Sequence, residues 1–180
     1  MRIIKEKTAG IIIDIQERLY PHMYEKETLS SALVTLILGL QLMDIPMLVS
    51  QQYTRGLGNT IEPIRELFDE SSFLEKTAFS CYDEPSFKDA FAGLGKKFII
   101  VAGIETHVCV LQTALDLLED GYIPVIIEDC VSSRREHDKT IAIARMRSEG
   151  AVVTTCESIL FELCRCAGTD EFRNISRLVK

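Results

Sequence analysis

The chain has 180 residues, 47% of them apolar and 26% charged. That suits one compact domain whose core needs neither disulfide nor metal, and it argues against disorder. Twenty Lys and Arg against 27 Asp and Glu give a net charge of −7, which argues against a dedicated nucleic-acid or anionic-membrane surface.

The N-terminal MRIIKEKTAG lacks the apolar stretch of a secretory signal. The longest uncharged run, 28–43, contains Ser, Thr and Gln and falls short of the ~20 apolar residues of a membrane span. The six cysteines include no CxxC pair, so the expectation is reduced thiols in a cytoplasmic protein.

Residues 10–15, Gly-Ile-Ile-Ile-Asp-Ile, form a near-continuous apolar run, the pattern of a strand covered on both faces. Leu29, Leu33, Leu36, Leu40 and Met43 recur at helical spacing. A second strand is expected over 46–49, a short helix over 62–68, a third strand over 72–76 and a helix over 86–91. Residues 97–102 read as a fourth strand. Val108, Leu111, Leu115 and Leu118 mark the next helix. A fifth strand over 125–127, a helix over 137–149, a sixth strand over 151–154 and a helix over 158–166 complete the series. The alternation predicts a three-layer, Rossmann-like α/β domain over 1–180, with a six-stranded, mostly parallel sheet and helices on both faces. The tail carries Phe172, Ile175, Leu178 and Val179, an apolar set expected to dock on a neighbouring subunit.

In such sheets ligands bind beyond the carboxyl ends of the strands, near the switch in strand order. Three polar residues fall at that rim. Cys109 follows the fourth strand in the first turn of a helix for which Thr106 is a candidate N-cap. Unpaired amides and the helix dipole there favour a thiolate nucleophile and could receive an oxyanion, although a cysteine among Val and Leu also suits a plain core position. Asp14, among isoleucines, could move a proton or cap a turn. Lys76 could hold both charges or be an ordinary solvated lysine.

The order Asp, Lys, Cys, with its surroundings, resembles the isochorismatase-like cysteine hydrolases along nearly the whole chain. The matching stretches are Gly10 to Gln16, Gln52-Tyr53 with Gly56-Leu57-Gly58, Lys76 to Ser80, Gly103 to Val110, Gln112-Thr113-Ala114, Asp129 with Ser132-Ser133-Arg134, Gly150-Ala151, and Thr154 to Ser158. GIETHVCV and the GLG loop are most similar to the isochorismatase domain-containing branch. The resemblance implies an Asp14–Lys76–Cys109 triad that cleaves a C–N bond of a small amide through a thioester. It also implies a cis Ile104–Glu105 peptide and an oxyanion hole made by the amides of Glu105 and Cys109. Tyr20, Gln52, Tyr53, Phe79, Tyr82 and His107 become substrate-contact candidates by motif position, and Glu105 is expected to point away from the thiol.

Nicotinamidases of this family hold a metal after the second strand through an Asp and histidines. This chain has Ser50-Gln51-Gln52-Tyr53-Thr54 there, so no metal and no cofactor is expected. The expected partners are a small-molecule substrate and further copies of the chain, at least a dimer, without nucleic acid or membrane. A catalytically silent binding or assembly protein on the same fold is the alternative.

Overall fold

A computed structural model describes residues 1–180. Its strands are β1 (Thr8–Ile13), β2 (Met47–Gln52), β3 (Phe73–Lys76), β4 (Phe98–Ile104), β5 (Ile123–Ser132) and β6 (Val152–Thr154). The principal helices are α1 (Lys26–Leu42), α2 (Thr54–Leu57), α3 (Glu62–Arg65), α4 (Pro85–Leu94), α5 (Leu111–Glu119), α6 (Glu136–Ser148), α7 (Cys156–Cys164) and α8 (Asp170–Leu178). One sheet runs in the order β3-β2-β1-β4-β5-β6, and all five pairings are parallel. The expected α/β architecture is the one observed.

The apolar run at the N-terminus explains the centre of this sheet. Every residue of β1 is buried, because side chains alternate between two covered faces. Ile12, Ile100 and Val125 face one core with Leu33, Leu36 and Leu40 of α1, Ile159 and Leu163 of α7 and Ile175 of α8. Ile11, Ile13, Val101 and Ile126 face the other with Phe87 and Phe91 of α4, Leu117 of α5 and Met146 of α6. Each such side chain contributes about 1.5–3 kcal/mol on burial.

Several boundaries differ from the sequence reading. β1 ends at Ile13, and Asp14 turns out of the sheet at φ 51°, a left-handed conformation that Asp tolerates better than most residues. β5 extends over ten residues rather than three, because a bulge opposite Val101 and Gly103 carries the polar Glu128-Asp129 step. The helix after β4 begins as a π-helical turn, Thr106–Val110, capped at Glu105 rather than Thr106.

The apolar tail forms α8 and packs on its own chain. Ile175 is fully buried, Phe172 and Val179 lie against the α1 and α7 core, and the Phe161 and Phe172 ring centroids are 6.0 Å apart.

The strand order reverses between β1 and β4, the place where this architecture leaves room for a ligand. Gly103 makes that seam possible. At φ +123° a Cβ there would sit 2.1 Å from Ile13 O, so only glycine lets β4 approach the end of β1.

Candidate active site

Asp14, Lys76 and Cys109 converge just past the carboxyl ends of β1, β3 and β4. Lys76 Nζ lies 2.8 Å from Asp14 Oδ2, and both side chains are fully buried. Ser50 Oγ donates to Asp14 Oδ1 at 2.7 Å. The ammonium also donates to Gln52 Oε1 at 2.5 Å, Phe79 O at 3.0 Å and Ala78 O at 3.1 Å. Asp14 Oδ2 has charge contact with Lys76 but no hydrogen-bond donor.

The Cys109 thiol faces this ion pair. Burial pushes it well above the ordinary thiol range, the Asp14 carboxylate pushes it further, and Lys76 pulls it back. Against the thiolate expected at a helix start, burial at 7% exposure favours the neutral thiol. For Lys76, burial works against the charge, but Asp14 and the two nearby thiols of Cys81 and Cys109 leave it above its usual value. Cys81 is pushed up to about 12 by burial and by Asp14, against the opposing influence of Lys76 and the hydroxyls of Ser50 and Thr113.

The backbone around the site is held by side chains. Fully buried Gln16 donates to Gln52 O at 3.0 Å and Gly58 O at 2.7 Å, and it accepts from Gln52 N at 2.7 Å. Glu84 accepts from the amides of Thr77 and Ala78, which shapes the turn that returns carbonyls to Lys76. These amides hold the Glu84 carboxyl below its usual range.

The Ile104–Glu105 peptide is cis. Glu105 Oε2 accepts from Arg134 Nε at 3.0 Å and from Arg134 N at 3.3 Å, so its carboxylate is taken up by Arg134, in keeping with its expected turn away from the thiol.

The remaining candidates divide. Gln52, Tyr53 and Phe79 are gathered on Lys76: Tyr53 N donates to Lys76 O at 2.9 Å, Phe79 supplies an acceptor carbonyl, and Tyr53 and Phe79 are 52% and 56% exposed. Tyr20, Tyr82 and His107 point elsewhere. Tyr20 OH bonds to Lys26 O and Ser30 Oγ at the start of α1. Tyr82 packs among Phe91 and Tyr122 and bonds to Asp120 beyond the far end of α5. His107 Nδ1 lies 2.9 Å from Ser133 Oγ, and the residue lines a groove of about 240 Å³ with Leu111, His137 and Ile141. Motif position places the backbone of these three near the rim, but side-chain direction is set by neighbours that the motif does not contain.

Ser50, Cys81, Gln16 and Glu84 escaped the sequence reading as members of the site. For Ser50 the signal is register: Ile13 pairs with Ser50, which sets the hydroxyl beside residue 14. No three His, Cys, Asp or Glu side chains converge as a metal-binding group.

Fold and site together define a three-layer α/β domain with a buried acid–ammonium pair beside a cysteine. The chain belongs to the isochorismatase family: the isochorismatase domain matches residues 8–158. Isochorismatase family protein 1B of Dictyostelium discoideum is 37% identical over 99% of this chain and 89% of that protein. The structure of MAR1 ribonuclease from Caenorhabditis elegans superposes with a TM-score of 0.93 at 32% identity, covering 99% of this chain and 92% of that one. The YcaC gene product of Escherichia coli, described as an octameric hydrolase of unknown specificity, shares the fold with a TM-score of 0.90 at 23% identity, over 99% and 87% of the two chains.

Proposed function

We propose that this protein is a metal-independent cysteine hydrolase that cleaves a C–N bond of a small amide. The observation that carries this reading is the fully buried Asp14–Lys76 pair, 2.8 Å apart, facing the Cys109 thiol. Cys109 Sγ forms a bond to the amide carbonyl carbon while its proton passes to Asp14 Oδ2. The amides of Glu105 and Cys109 receive the oxyanion. The C–N bond then breaks, Asp14 returns the proton to the leaving nitrogen, and a thioester remains. Water adds to that carbonyl, giving its proton to Asp14, and the C–S bond breaks as Asp14 returns that proton to Sγ, releasing the acid and restoring the thiol and the carboxylate. Lys76 keeps its charge throughout and holds the Asp14 carboxylate in place. Tyr53 and Phe79, exposed beside Lys76, clamp a small planar group.

A panel of small amides read by ammonia release, with Cys109→Ala as the blank, tests this. Turnover that disappears in the variant is the expected result; ammonia release that survives it overturns the mechanism.

The raised thiol and its near closure favour a second reading, a binding or assembly protein that keeps the fold without turnover. An iodoacetamide profile in which Cys109 ionises as an ordinary or weaker thiol, with no Asp14-dependent plateau, favours that reading. The ribonuclease name belongs to the nematode protein; for this chain a net charge of −7 supports a small-molecule substrate instead. RNA cleavage that stays with the pure protein argues the other way.

The single domain spans 1–180 in this reading, without a cofactor. Six free cysteines suit a cytoplasmic setting, and no helix is long and apolar enough to cross a membrane. The octameric relative and the exposed Tyr53 and Phe79 support a homo-oligomer, at least a dimer.

A further inference from the structure

Lys76 carries three N–H bonds and is within reach of four acceptor oxygens. Three of them, Gln52 Oε1, Phe79 O and Ala78 O, take its protons at 2.5, 3.0 and 3.1 Å. The fourth, Asp14 Oδ2, lies 2.8 Å away without a hydrogen bond. Ser50 occupies only the other oxygen, Oδ1. The lone pairs of Oδ2 are thus left open by a shortage of lysine protons, on a carboxylate that the Cys109 thiol faces.

Two of the three competing acceptors are backbone carbonyls, and Gln52 is the one side chain among them. Its amide is fixed in the accepting sense, because Nε2 donates to Thr77 O at 2.7 Å, and its main chain is clasped on both sides by Gln16. We infer that Gln52 is a positioning residue that diverts one Lys76 proton from Asp14 and so keeps Oδ2 free as the base of the reaction. This assigns Gln52 to the acid–base machinery, not to substrate contact, and it rests on the hydrolase reading above. The titratable groups facing Asp14 are Lys76 from β3, Cys81 from the turn after it and Cys109 from the π-helical turn; Glu84 faces Lys76 from the start of α4.

Replacing the amide has a directional consequence. With Gln52→Leu one N–H of Lys76 turns to Oδ2, a hydrogen bond that favours the charged carboxylate and weakens it as a base. With Gln52→Glu the acceptor remains and a second negative charge makes Asp14 more basic. A residue needed only for folding would not move the two variants in opposite directions.

The probe is iodoacetamide on the full chain. Labelling of the Cys109 peptide is followed by mass spectrometry from pH 4 upward, with exposed Cys166 as an internal reference. Wild-type Cys109 is expected to show a plateau that falls in acid and is lost in Asp14→Asn. In Gln52→Leu the acid fall-off moves down by at least about half a pH unit and the plateau drops about threefold or more; in Gln52→Glu the fall-off moves up. Gln52→Met, with the same expected shifts, substitutes for the leucine variant if that chain does not fold. An Asp14-dependent plateau whose acid limb is unmoved, or moved the same way in both variants, overturns the role of Gln52 alone. A wild-type chain without an Asp14-dependent plateau overturns the hydrolase reading and this inference with it.

Discussion

Removing the ammonium from the buried pair is the sharpest test of the site as an electrostatic unit. Lys76→Met leaves the Asp14 carboxylate at zero exposure, with a single hydrogen bond from Ser50 and no counter-charge. It also deprives Gln52 Oε1, Ala78 O and Phe79 O of their donor. Breaking a buried pair on one side costs about 3–5 kcal/mol, and in a chain of this size that lowers Tm by about 6–20 °C. The deficit depends on pH. An unpaired buried carboxylate takes a proton at higher pH in the folded state than in the unfolded chain, so the penalty is full at neutral pH and fades toward about pH 4. The double variant Asp14→Asn/Lys76→Met removes both charges and should recover much of the loss, with a coupling of about 2 kcal/mol or more. Urea unfolding of the four chains at pH 7 and pH 4.5 measures all of this. A single variant within 1 kcal/mol of wild type at pH 7, or a cycle that is additive, refutes the buried pair.

Three further outcomes follow from other contacts. The thiols of Cys81, Cys109 and Cys130 ionise above their ordinary value in the folded chain because they are buried. The folded state then holds more protons, and stability should fall above about pH 9, by about 1 kcal/mol per thiol between pH 9 and 10; Cys81→Ala should flatten that slope in alkaline urea melts, and an unchanged slope counts against burial of its thiol. Gly103→Ala pushes a Cβ to 2.1 Å from Ile13 O and should cost more than about 4 kcal/mol or abolish soluble expression; a variant that melts like wild type contradicts the close seam. Tyr82→Phe loses one hydrogen bond to Asp120, worth about 1 kcal/mol, and should leave Cys109 alkylation and any amide turnover within twofold of wild type; a tenfold loss would return Tyr82 to the substrate pocket.

How far the sequence could be read depended on the kind of fact. The strand–helix alternation and the rule about strand ends were enough to put Asp14, Lys76 and Cys109 forward as candidates at one rim, because each depends only on local pattern and topology; their reading as a triad came from the family resemblance. Side-chain aim was not local. Tyr82 and His107 sit beside motif residues, yet their partners Asp120 and Ser133 are 38 and 26 positions away. Ser50 joins Asp14 across 36 positions through β1–β2 register, which no spacing in the chain reveals. β5 was under-read because Glu128 and Asp129 interrupt its apolar run while the bulge lets the strand continue. The burial that opposes ionisation of Cys109 was not legible, because helix-end electrostatics can be inferred from sequence whereas the depth of burial cannot.

The pairing of β1 with β4 joins Thr8 to Phe98 and Ile13 to Gly103, so the middle of the sheet is stitched from opposite halves of the chain. A nascent polypeptide halted before β4 has already made the acid and the lysine, but it presents β1 as a bare edge open to foreign strands. Synthesis of the next segment fills that edge and delivers the sulfur a few residues later. Protection against self-association and assembly of the three head groups thus arrive as one late event in biogenesis.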